Sequence, residues 1–310
     1  MNENRRLHTS SNLRNTLLSE ISVGISANSI LLLFHILKFF CGHRHKPTDL
    51  PIGLLALIHL LMLLIMAVTA TDIFISWQGW DDITCKFLLY LYRVFRGLSL
   101  CTSSLLSVLQ AIILSPRSSC LAKFKHKPPY HISCALLLLS IFYMFISSHL
   151  LVSIIATPNL TLNNFMFVTQ SCSILPMNYL MQSTFSTLLA LREAFLISLM
   201  ALSSGYMLTL LCRHKKQVQH LHSTSLSPKS SPEIRATQSI LLLLSFFVLM
   251  SILDSIISCS RTMFLDDPTF YYIQLFVVHS YATVSPFVFM STEKHIGNLL
   301  RSMFKGVINV

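Results

Sequence analysis

From Ser239 the chain reads SILLLLSFFVLM, and this apolar run follows the polar stretch LHSTSLSPKSSPEIRATQ with no Gly or Asn between them. Crossing a bilayer takes roughly 17–25 mostly apolar residues. Stretches of that kind recur near Thr16–Phe39, Leu50–Thr71, Cys85–Leu114, His131–Ile155, Phe185–Cys212, Thr237–Ser258 and Phe270–Ser291. Barrel strands would alternate polar and apolar residues over ~10 positions, and these runs do not. Lipid demands a backbone whose polar groups are all satisfied, so each run is expected to be a helix. A soluble helical bundle would need a charged outer face. This chain is 53% hydrophobic and 11% charged, with a mean hydropathy of +0.63, against about 25% charged in soluble domains. The expected fold is therefore all-α: a seven-helix transmembrane bundle over residues 16–291, with short ends at 1–15 and 292–310.

The basic excess, +11, then reads as topology. Lys and Arg collect in cytoplasmic loops. The links after spans one, three and five hold Lys38, Arg44 and Lys46, then Arg117, Lys123, Lys125 and Lys127, then Arg213, Lys215, Lys216, Lys229 and Arg235. The tail adds Lys294, Arg301 and Lys305, while the links after spans two, four and six hold only Arg261. Arg5, Arg6 and Arg14 precede the first span. This asymmetry places the N-terminus outside and the tail inside, in a multi-pass protein of the plasma membrane. It argues against nucleic acid as a partner, because the charge is divided among separate loops on one side. The polar start, followed by a run longer than a signal-peptide core, reads as a first span rather than a cleaved signal.

Two features fall on the outer side. Asn159-Leu160-Thr161 is an N-x-S/T acceptor in the long link between spans four and five, so Asn159 is a candidate for glycosylation. Cys85 opens the third span and Cys172 sits in that same link; the oxidising side of the membrane permits a disulfide between them. The remaining cysteines fall mostly in spans or on the inner side and read as small hydrophobes.

Candidate ligand contacts come from ionisable residues inside spans, which are costly there and are usually functional. Arg93 and Arg96 share a face of the third span, ~12 and ~16 Å below Cys85. Arg192 and Glu193 lie near the outer end of the fifth span, Asp254 in the outer half of the sixth, and His279 about two turns above Pro286 in the seventh. Tyr92 and Tyr281, with Phe95 and Phe195, are available as apolar wall. For any one charge, a structural ion pair such as Arg96 with Asp254 or Glu193 competes with ligand contact.

Four segments carry a resemblance: RGLSLCTSSLLSVLQAIILSPRSSCLAKFKHKPP, LREAFLISLMALSSGYM, HLHSTSLSPKSSPEIRATQSILLLLSFFVLM and HSYATVSPFVFMSTEKHI. The chain resembles the vomeronasal type-1 pheromone receptors from about Ser22 to Phe304, and the SPK-SPE-RATQ block is specific to them. The helix count and the cysteine pair resemble rhodopsin-like G-protein-coupled receptors more widely. The resemblance implies no enzyme activity and no cofactor. It implies a small pheromone-like ligand and a heterotrimeric G protein, of the inhibitory class, met by the loops Ser115–Lys127 and Arg213–Arg235. Gln110, Arg117, Lys123, Lys216 and Arg235 are the candidates for that contact.

Departures from the wider class are informative. Gln110 stands where that class has its switch arginine. His59 stands where it has an aspartate, which makes a sodium site doubtful. SPFVFM keeps Pro286 but lacks the usual Asn and Tyr of the seventh span. A bitter-taste-like chemoreceptor is an alternative, though that family typically lacks the outer cysteine pair. A retinal protein needs a lysine in the seventh span, which Phe270–Ser291 does not contain. A small-solute transporter should show repeat symmetry or Gly/Pro-broken helices, and Gly numbers only 8. His59, His149 and His279 are single in their spans, so no metal site is expected.

Overall fold

The computed structural model describes residues 2–40, 47–75, 80–116, 119, 130–148, 150–156, 166–167, 171–174, 179–221, 232–263 and 268–292. Asn159, Arg117, Lys123 and the tail 293–310 lie outside the described residues. Seven long helices follow in order: α1 (Asn2–Phe40), α2 (Asp49–Ile75), α3 (Asp82–Leu114), α4 (Tyr130–Ser147), α5 (Tyr179–Leu221), α6 (Pro232–Met263) and α7 (Pro268–Thr292). Among the described residues, five helices are long and apolar enough to cross a membrane, and α6 contributes a shorter apolar stretch, Leu241–Asp254.

Several boundaries differ from the apolar runs, each for a local reason. The fourth run, expected to continue to Ile155, stops being one helix at Ser147. A turn and a single helical turn (Leu150–Ser153) follow, then strand β1 (Ile154–Ala156). Ile154 and Ile155 are β-branched and find a strand partner there. β2 (Met166–Phe167) and β3 (Cys172–Ile174) complete an antiparallel sheet of order β1-β3-β2, pairing Ile154 with Ile174 and Ala156 with Cys172. This sheet was not expected from the sequence. The α1 helix continues through the polar residues before Thr16, and α5 overruns its apolar run at both ends. The α6 helix begins at Pro232, where a missing N–H costs nothing in the first helical turn; Arg235 therefore lies within it.

Helix α3 sits at the centre, against α2, α4 and α5. Its buried face carries Gly97, Ser99, Thr102, Ser103, Ser104 and Ser107, small side chains that let neighbouring backbones close in. Gly97 shows how closely: a Cβ there would lie 1.8 Å from the Tyr143 ring of α4. The bundle's perimeter is greasy instead, with Phe145, Leu202 and Phe195 exposed, as lipid-facing helices require. Asp81 caps the start of α3 by accepting from the Thr84 amide at 3.2 Å.

Pro286 sits within α7. It has no N–H to give the carbonyl four residues back, which is that of Ala282. Asn28 of α1, fully buried, donates its side-chain amide to the Ala282 carbonyl at 2.9 Å and to the Gly24 carbonyl at 2.8 Å. The orphan made by the proline is thus satisfied from a neighbouring helix.

Candidate functional site

The Cys85–Cys172 disulfide joins the start of α3 to strand β3, with Cα atoms 5.7 Å apart. Both cysteines are fully buried beside Ile154, Trp80 and Leu89, and Asp82 accepts the Ala156 amide at 2.6 Å. The sheet is therefore tied to the end of α3 by a covalent bond and a hydrogen bond on different strands.

Below that end, a cavity of ≈ 50 Å³ opens between α3, α5, α6 and α7. Arg96, Glu193, Asp254 and Tyr281 line it, together with Ser99, Phe247, Met250 and Val278. Arg96 forms an ion pair with Asp254 across the α3–α6 gap. The second Asp254 oxygen accepts from the Gln274 side-chain amide at 2.9 Å. This carboxylate is thus engaged on both oxygens, which offsets the cost of a charge at such depth.

Arg192, Tyr92, His279 and Arg93 lie around the cavity rather than on it. Arg192 and Glu193 are successive on one helix, so their side chains diverge by about 100°. Glu193 turns into the cavity. Arg192 turns to α4, where its guanidinium lies 3.9 Å from the centre of the Tyr143 ring, and one nitrogen reaches Glu193 at 3.1 Å. Among the described residues, its buried Nε and Nη1 have no hydrogen-bond partner. Tyr92 and His279 meet at 3.1 Å. His279 Nδ1 lies 2.6 Å from the Leu275 carbonyl; a carbonyl only accepts, so Nδ1 carries the proton and Nε2 accepts from the Tyr92 hydroxyl. That pair ties α3 to α7. Arg93 is half-buried and does not line the cavity. Phe195, expected on an apolar wall, is 66% exposed and faces outward. Phe95 packs with Met62, Met66 and Leu275 in a separate apolar cluster.

The cavity floor leads to a polar hub. His59 of α2 is fully buried; Nε2 lies 2.7 Å from Ser99 Oγ and Nδ1 lies 3.1 Å from Ser285 Oγ. Its ring stands edge-on to Tyr281 at 5.4 Å, and the Tyr281 hydroxyl meets Ser103 at 3.1 Å. Ser99 and Tyr281 line the cavity, and Ser285 immediately precedes Pro286. Sequence reasoning marked His59 only as a departure. Four hydroxyls spread over α3 and α7, on Ser99, Ser103, Tyr281 and Ser285, leave no spacing signal that would connect them to it.

Towards the opposite end, α3 and α5 are tied by Ser107 to Ser203 at 2.6 Å and Ser115 to Tyr206 at 3.1 Å. Gln110 lies between these ties, 6% exposed, and among the described residues neither of its amide atoms has a hydrogen-bond partner. Lys216 is exposed near the end of α5. Among the described residues, no His/Cys/Asp/Glu group is arranged to hold a metal ion.

Comparison with known proteins supplies a second line of evidence. The model of the "Vomeronasal organ pheromone receptor family" matches residues 11–302. "Vomeronasal type-1 receptor 94" of Rattus norvegicus is 74% identical over 310 residues, covering 100% of this chain and 95% of the relative. "Vomeronasal type-1 receptor 45" of Mus musculus is 75% identical over 301 residues, covering 97% and 95%. "Vomeronasal type-1 receptor 105" of Rattus norvegicus is 73% identical over 310 residues, with 100% of both chains covered.

Proposed function

This chain belongs to the vomeronasal type-1 family of pheromone receptors, and from that premise we propose that it detects a small chemosensory ligand in the cavity between α3, α5, α6 and α7. The observation that carries this reading is the set of charged side chains, Arg96, Glu193 and Asp254, around a cavity within otherwise apolar helices. Charges at that depth are expensive, and function is the usual reason they persist.

The Lys/Arg asymmetry supports an outer N-terminus and a cytoplasmic tail in the plasma membrane. The ligand then enters from the disulfide end. Asn159 lies on that side as a glycan acceptor. A ligand shifts the receptor only by binding the active arrangement more tightly than the resting one. Arg96 and Asp254 join α3 to α6 at the cavity wall, so a ligand that reorganises this wall changes the α3–α6 spacing. The other end of α6 then moves, and the cytoplasmic face accepts a heterotrimeric G protein of the inhibitory class. Arg117, Lys123, Lys216 and Arg235 supply basic contacts there, with Gln110 at the depth where the wider class uses arginine.

The test is a ligand screen in cells expressing the receptor, with a G-protein readout and a surface stain of the N-terminus. Glycosidase treatment is expected to speed the protein on a gel, and Asn159→Gln to abolish that shift. Labelling of the Asn159 loop from the cytosol would overturn the orientation. Failure of a surface-expressed receptor to couple with any ligand would overturn the function.

A further inference from the structure

The cavity's three charges are not equivalent, and the difference specifies a ligand chemistry; the inference rests on the chemosensory reading of this cavity. Asp254 is engaged on both oxygens, by Arg96 and by Gln274. Glu193 accepts a single hydrogen bond, from Arg192 on Oε1. Among the described residues nothing donates to its Oε2. Its side chain is 29% exposed, while that of Arg192 is 9% exposed. Arg192 also faces the Tyr143 ring and is not part of the cavity wall. The open carboxylate oxygen therefore belongs to the ligand space, and the guanidinium that compensates it stands behind the wall.

We propose that Glu193 is the ligand-recognising acid of this receptor and that the cavity takes amphiphiles with a cationic or hydrogen-bond-donating head, above all small ammonium compounds. An ammonium group at Oε2 gains a charge-assisted hydrogen bond. It meets two carboxylates, with Arg96 bonded to Asp254 and close enough to Glu193 to interact with its charge as well. An anion in the same place faces those two carboxylates, and the one cation among the described lining residues, Arg96, is already shared with Asp254. Turning Arg96 wholly to the anion would break a buried pair, which is strongly unfavourable. The alkyl part of the ligand lies against Phe247, Met250, Ile197 and Val278, which complete the wall. Arg96–Asp254 is then the tie that holds α3 to α6, and Glu193 is the group that distinguishes one ligand head from another.

The experiment uses the full-length receptor in lipid nanodiscs at pH 7, without G protein. Its probes are n-butylammonium, butan-1-ol and butyrate, with binding read from the ligand-dependent rise of the unfolding temperature. The expected order is ammonium over alcohol over butyrate, with about ten-fold between the first two, as one charge-assisted bond implies. Glu193→Gln keeps an acceptor for Arg192 and removes the charge. It is expected to bring ammonium to within about two-fold of the alcohol. Butyrate binding as tightly as the ammonium would overturn the assignment and give the cavity to the remaining Arg96 donors. An ammonium preference that persists in Glu193→Gln would also overturn it. The two readings separate cleanly. A receptor that couples to a G protein yet prefers butyrate sinks the charge assignment and leaves the chemosensory reading. A chain that prefers the ammonium through Glu193 yet never couples supports the assignment and sinks the chemosensory reading.

Discussion

Asn28→Leu removes the amide that serves the Ala282 carbonyl while keeping the side chain's volume. Two bonds go, but they are unequal. The Gly24 carbonyl keeps its place in the backbone ladder of α1. The Ala282 carbonyl has no substitute, because Pro286 offers it no N–H. Leaving a buried carbonyl unpartnered costs about 1–3 kcal/mol in soluble proteins. Interhelical hydrogen bonds in bilayers average nearer ~0.6 kcal/mol, with ~1.7 at the top. Among the described residues Asn28 Oδ1 has no hydrogen-bond partner although it is buried, so its removal returns part of the loss. The expected net cost is about 1 kcal/mol, or roughly 2 °C in unfolding temperature. The decisive measurement is a double-mutant cycle with Pro286→Ala, which restores an N–H aimed at Ala282. In that background Asn28→Leu should cost close to nothing, giving a coupling of about 1 kcal/mol. Unfolding can be followed with a thiol-reactive dye at Cys101, which is free and buried, in a background where the exposed free Cys134 and Cys212 are replaced by Ala. An equal cost for Asn28→Leu in both backgrounds would refute the idea that Asn28 exists to satisfy the proline's orphan.

Gly97→Ala drives a methyl into the Tyr143 ring and should destabilise by about 1–3 kcal/mol, with Tyr143→Leu recovering most of the loss; a Gly97→Ala protein as heat-stable as the parent would contradict the packing. Gln110→Leu relieves two unpartnered buried amide atoms, so unfolding temperature should rise while G-protein coupling falls; a drop in stability would mean the amide is satisfied at rest. Asp81 is held below its ordinary 3.8 first by the Thr84 side-chain hydrogen bond. A lowered folded pKa means its cap contributes fully above 3.8 and is lost as pH falls through the lower value; an acid titration of helix content should show that loss, and Asp81→Asn should flatten it.

The seven helices were legible because bilayer thickness sets a length that apolar runs reveal directly. Their ends were not. Pro232 and the polar residues before Thr16 are helical although nothing apolar marks them. Ile154–Ala156 leaves the fourth helix because a strand partner arrives from Cys172–Ile174, well over a dozen residues later in the chain. Arg96 and Asp254 were visible as charges out of place, and a structural pairing between them was among the readings their positions allowed. The divergence of Arg192 from Glu193 needed only the helical angle of about 100°, but which of the two faces the cavity depends on where α4 stands. Ser99, Ser103 and Ser285 are ordinary residues in a sequence, and only the assembled bundle places them around His59 and Tyr281.

That hub has a further consequence. Ser99 and Ser285 hydroxyls each donate or accept, so either tautomer of His59 is fully served by turning the hydroxyls about. No carboxylate takes part among the bonded groups His59, Ser99, Ser285, Tyr281 and Ser103. The bonded path from the cavity floor to Ser285, beside Pro286, therefore contains no ion that would have to arrive or depart. The hub's bonds join neutral side chains only, so ionic screening has no charge among them to act on.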